Sequence, residues 1–79
     1  MLGDPDGVFV PLTVVLELVW VLRAFYGFGA ADIGRVLRHL AALPRVRVED
    51  CDAVLEASDM AEAGLDFADA LHLASPHYS

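Results

Sequence analysis

Apolar residues fall along this chain in blocks whose spacing changes from strand-like to helix-like, and turn residues separate the blocks. Val8-Phe9-Val10 reads as a short strand that Pro11 closes. Pro11 can then sit in the first turn of a helix, with Thr13 a competing cap. Leu12–Tyr26 is long enough for about four turns of helix. Its valines would also suit a strand, but its length and the following Gly27 and Gly29 favour a helix. It is apolar on almost every side, which predicts a central helix rather than a surface one.

A second helix is expected over Ala30–Leu43. Ile33, Val36, Leu37, Leu40 and Ala41 recur at helical spacing, while Arg35, Arg38 and His39 fall largely on the other side. Asp32 near its start and Arg38 and His39 near its end suit the helix macrodipole, and Pro44 stops it. Arg45–Glu49 alternates strictly and reads as a second strand, with Val46 and Val48 facing one way. Asp50 or Asp52 can cap a third helix running to about Ala63, where Gly64 ends it. Its apolar side comes from Val54, Leu55 and Ala57 or Ser58. Leu65–Ala74 is a fourth helix, with Asp66 a good N-cap and Pro76 a stop. Residues 1–7 are turn chemistry, and His77-Tyr78-Ser79 is a short tail. The order strand–helix–helix–strand–helix–helix predicts an α/β layer fold, although two strands are few for such a sheet.

With 79 residues the chain is one domain at most. A chain of this size buries only roughly 60–65% of the surface it exposes when unfolded. Cys51 is the only cysteine, so no disulfide can form within the chain, which suits a reducing cytoplasm. The hydrophobic fraction is 57% and the mean hydropathy +0.53. So much apolar surface on so small a unit makes a homo-oligomer the default expectation.

Charge narrows the function classes. The net charge is −7, carried against five arginines and no lysine, so the basic face of a nucleic-acid binder is not evident. RNA could approach only if divalent cations offset the acids. Asp4 and Asp6 stand where a secretory signal needs Lys or Arg. The stretch Val8–Leu22 is interrupted by Glu17 and is shorter than the roughly 20 residues that span a bilayer. No membrane segment is expected, and the cytoplasm is the expected location.

Glu17 is the most informative single residue, being the only charged side chain between Leu12 and Leu22. An unpaired buried carboxylate is costly, so it needs a partner, a metal or a cleft, unless it reaches solvent or pairs with Arg23. Asp66 and Asp69 lie three apart on one helix face. They are either site acids or a cap resembling the capping box, with Asp in place of Glu. His72 stands three residues after Asp69, a spacing that could suit a metal but more often belongs to a packed or solvated side chain. Glu49, Asp50 and Asp52 read as a solvated helix start, His39 and His77 as surface residues, and Cys51 as inert, lacking partners at zinc spacing. No phosphate loop, dinucleotide fingerprint, nucleophile elbow or HExxH pattern occurs.

The segment PLTVVLELVWVLRAFYG, followed much later by GLDFADALHLA, resembles the PIN domain and within it the bacterial VapC-type toxin ribonucleases. Those proteins carry a site glutamate in an L-E-x-x-W-V-L-R-like helix, which Glu17 matches. A site aspartate sits in their D-A-[LI]-H/I-L-A-like helix, which Asp69 matches, and Asp66 matches a frequent neighbouring acid. The strand from Pro44 to Asp50 and the helices on either side fall in the same order, so the resemblance covers about Val8 to Ala74.

The resemblance implies metal-dependent hydrolysis of RNA. Carboxylates would hold Mg²⁺ or Mn²⁺, and the metal would activate water and neutralise charge on the phosphate. Glu17 and Asp69 would be direct or water-mediated ligands, with Asp66 in support. Two of the family's usual four acidic positions have no counterpart here: one at the end of a first strand and one in a later T-x-D context. Family domains run on the order of 100–150 residues. The expectation is therefore a partial PIN-like domain, truncated at both ends, that binds metal weakly and is inactive or weakly active alone. Two alternatives follow. Asp4 or Asp6 of one subunit could complete the site of another. Or the chain is a non-enzymatic module that oligomerises or binds a VapB-like antitoxin.

Overall fold

The structure is a computed structural model, and it describes residues 7–76. The residues before Gly7, where turn chemistry is expected and where Asp4 and Asp6 stand, and the tail from His77 lie outside the described residues. Six elements run in the order β1 (Val8–Val10), α1 (Leu12–Ala24), α2 (Ala30–Ala42), β2 (Val46–Val48), α3 (Cys51–Glu62) and α4 (Phe67–Ala74). The fold is thus mixed and mostly helical, with two short strands paired in parallel, Val8 opposite Val46 and Val10 opposite Val48. The α1–α2 pair forms the crossover that a parallel pairing requires. Among the described residues no helix is long and apolar enough to cross a membrane.

The helix ends follow the punctuation of the sequence. After α1 the chain turns through Gly27 at φ 67°, a left-handed conformation that suits glycine, and the Phe28 N–H returns to the Leu22 carbonyl at 3.0 Å. This turn ends α1 at Ala24, short of the expected Tyr26. Pro11 takes the N-cap position of α1, one residue before the first turn, and Thr13 does not cap it. Gly64, at φ 115°, closes α3 in a Schellman turn. The Leu65 N–H reaches the Met60 carbonyl and the Gly64 N–H reaches that of Ala61, each at 3.1 Å.

One stripe from each helix builds the core. Leu12, Val15 and Val19 come from α1, Ile33 and Leu37 from α2, Ala53, Val54 and Ala57 from α3, and Phe67, Ala70 and Leu71 from α4. Their spacing of three and four is the helical period, so each helix buries one side. The expectation that α1 is covered all round is not met among the described residues. Val14 and Trp20 are exposed, because the other helices and the sheet cover only the side of α1 that holds Val15 and Val19.

Candidate functional site

Two carboxylates of the expected solvated run have found partners instead. The Leu12 N–H donates to Glu49 Oε1 at 2.9 Å, across 37 residues of sequence. The first N–H groups of a helix have no partner inside it, and Pro11 offers no side-chain acceptor, so Glu49 caps α1 from the end of β2. Asp50 stands at the N-cap of α3 in the left-handed region, at φ 49°, and makes no side-chain cap there. Its carboxylate accepts instead from the buried Ser75 hydroxyl at the end of α4. Only Asp52 of the three is exposed as expected. Burial, and secondly the Asp52 carboxylate, push the Cys51 thiol above its ordinary range, which lowers its thiolate fraction and its reactivity.

The three acids singled out by the resemblance lie on α1 and at the start of α4. Glu17 is exposed on α1 and takes no part in the ion pairs seen here. Asp66 is the N-cap of α4, where its Oδ2 accepts from the Asp69 N–H at 3.2 Å. Its other oxygen, Oδ1, faces Arg23 Nη1 at 3.6 Å, linking the start of α4 to the last turn of α1. Asp69 is exposed in the first turn of α4, with its carboxylate near the positive end of that helix. His72 is exposed on the last turn of the same helix.

Mg²⁺ and Mn²⁺ favour several oxygen ligands in one place. Among the described residues, no three His, Cys, Asp or Glu side chains form a group that could hold a metal ion. Both Asp66 oxygens are already engaged, one by a backbone N–H and one by a guanidinium. Asp66 is thus occupied, while Glu17 and Asp69 are exposed.

A pocket that the sequence does not announce opens beside this ion pair. About 430 Å³ in volume, it is lined by Val19, Arg23, Phe28, Ile33, Asp66 and Phe67, by Gly29 and Ala30 at the start of α2, and by Ser58 and Ala61 of α3. Ser58 is buried, and its hydroxyl has no hydrogen-bond partner. On the other side of Arg23 and Asp66 a second, more apolar groove runs between Leu16, Val19, Trp20 and Ala24 of α1 and Phe67 and Ala68 of α4. Exposed aromatics continue this surface, with Trp20 at 61%, Phe25 at 70% and Tyr26 at 67% exposure. The Trp20 and Phe25 rings meet edge to face at 5.5 Å.

These features define a small α/β unit, mostly helical, with an ion pair between two pockets at the junction of α1 and α4. No protein-family model, no curated protein and no solved structure matches this chain.

Proposed function

We propose that this chain is a PIN-like domain related to the metal-dependent ribonucleases of the VapC type, and that by itself it cleaves RNA weakly or not at all. The relationship rests on the ordered segments around Glu17 and Asp69 in the sequence. A mixed, mostly helical fold with parallel strands is consistent with it. The second half of the proposal is carried by Asp66, whose carboxylate is taken up by the α4 cap and by Arg23. Glu17 and Asp69 then remain as the acids for Mg²⁺ or Mn²⁺, and two exposed carboxylates hold such an ion weakly. The deciding experiment is cleavage of a mixed RNA substrate with Mg²⁺ or Mn²⁺, beside Glu17→Ala and Asp69→Ala. The expected result is cleavage at or barely above the level of the two variants. Efficient cleavage that both substitutions abolish would overturn the second half of the proposal.

A second reading, a non-enzymatic interaction module, draws on the exposed aromatic surface around Trp20, Phe25 and Tyr26. Contiguous apolar surface of this kind marks association sites, and either a second copy of the chain or a VapB-like antitoxin would cover it. Sedimentation of the purified chain at micromolar concentration tests the first option. A dimer or larger species that Trp20→Ser converts to monomer is expected, and a monomer throughout would count against self-association.

A further inference from the structure

We propose that the groove between α1 and α4 seats a second copy of this chain, whose α1 lies antiparallel on the first, with Glu17 of each copy paired to Arg23 of the other. The proposal rests on the reading of the chain as an interaction module and names its partner. The groove has a volume of about 540 Å³ and is lined by Leu16 and Ala24 of α1 and by Phe67 and Ala68 of α4. Trp20 stands on the same wall and is mostly exposed.

Charge selects the face. Two copies of net charge −7 repel each other, so they meet where acids are few. Helix α3 carries four acids, Asp52, Glu56, Asp59 and Glu62, and no base. Helix α1 carries one acid, Glu17, and one base, Arg23.

The places of that acid and that base fix the direction. Glu17 lies three residues before Trp20 and Arg23 three residues after it. Residues three apart on a helix are surface neighbours, so all three belong to one side of α1. With a two-fold axis beside Trp20, antiparallel packing sets Glu17 of one helix level with Arg23 of the other at both ends of the contact. Parallel packing would set like charges level instead. The antiparallel arrangement also sets Leu16 level with Ala24, large against small, which leaves room for the two indoles.

Glu17 takes no part in the ion pairs within the chain, so it is open to such a partner. Arg23 faces Asp66 of its own chain at 3.6 Å, a contact between half-exposed side chains that is longer than a hydrogen bond and holds the guanidinium only loosely. Trp20 supplies the affinity, as tryptophan anchors do at interfaces, and the ion pairs at the rim set the register.

The test is sedimentation of the 79-residue chain at micromolar concentration beside two charge variants and their equimolar mixture. One variant is Glu17→Arg. The other is Arg23→Glu made together with Asp66→Asn, which keeps a helix cap and removes the like charge next to the new carboxylate. The unaltered chain is expected to be a dimer. Each variant alone sets like charges level at both ends and should dimerise about tenfold more weakly. The mixture should recover the parent affinity, because a dimer with one chain of each kind has opposite charges at both ends. A monomeric parent chain would overturn both this arrangement and self-association through this surface. A parent dimer that Trp20→Ser abolishes and the charge variants leave intact would overturn the arrangement alone. So would a dimer indifferent to Trp20→Ser, or charge variants that mixing does not rescue.

Discussion

The hydroxyl of Ser75, at the C-cap of α4, donates to the carboxylate of Asp50, the N-cap residue of α3. The bond fastens the end of the last helix to the junction of β2 and α3. It also accounts for the absence of a side-chain cap at the start of α3, since the carboxylate that could cap that helix is turned toward α4. Asp50 holds a positive φ that most non-glycine residues avoid but aspartate tolerates.

Ser75→Ala is expected to lower stability by about 1.5–3 kcal/mol, the usual worth of a hydrogen bond to a charged group. Asp50→Ala should cost more, because alanine loses the bond and is also strained at this φ. Asp50→Gly should cost less than Asp50→Ala, since glycine loses the bond but is not strained at this φ. Urea unfolding of the three variants gives the order directly, and equal costs for Asp50→Ala and Asp50→Gly would remove the backbone part of the argument.

Glu49 caps a helix that lies 37 residues earlier in the chain. Glu49→Ala should therefore destabilise by about 1 kcal/mol, as loss of a cap does, whereas Glu49→Gln keeps an acceptor oxygen and should cost less. Amide hydrogen exchange provides a local check. The first turn of α1 is expected to lose protection in the alanine variant, and an unchanged Leu12 amide would contradict the cap.

Asp66, Glu17 and Asp69 should separate by stability. Asp66→Ala removes an N-cap and an ion partner of Arg23, a loss of about 1 kcal/mol dominated by the cap. Glu17→Ala and Asp69→Ala alter exposed carboxylates and should stay within about 0.5 kcal/mol of the parent chain. Thermal unfolding of the three decides the point. A large loss in Glu17→Ala would mean that Glu17 has a structural partner.

Gly34 lies where α2 approaches α3. A methyl group there would meet Glu62 Oε2 at 2.7 Å, the Ser58 hydroxyl at 3.0 Å and Arg38 Nη1 at 3.3 Å. The closest of these is the far end of a mobile side chain, and alanine gains helix propensity over glycine, so Gly34→Ala should stay within about 1 kcal/mol of neutral. Gly34→Leu cannot be accommodated by a shifted Glu62 alone and should cost about 2–3 kcal/mol through overpacking. Denaturant midpoints would show it, and equal stability of the alanine and leucine variants would mean the helices are not in close contact at this point.

Local chemistry carried most of the fold. Proline and glycine act on their own backbone, so Pro11, Gly27, Pro44 and Gly64 mark where elements begin and end whatever surrounds them. Spacing of three and four likewise marks the buried stripe of α2 at Ile33 and Leu37, and that of α3 at Val54 and Ala57. Asp66 as a cap was legible for the same reason, because its acceptor serves an N–H only three residues on.

What only the tertiary structure decided is which groups distant in sequence meet. Glu49 and Asp50 look like any acidic helix start until α1 and α4 arrive beside them. The side of α1 left uncovered could not be read from a helix apolar on almost every face, because periodicity identifies a buried side only where polar residues mark the other. The pocket beside Ser58 has no sequence signal at all. A serine is commonplace inside a helix, and only the packing of α1, α2 and α4 around it leaves its hydroxyl buried and unpaired.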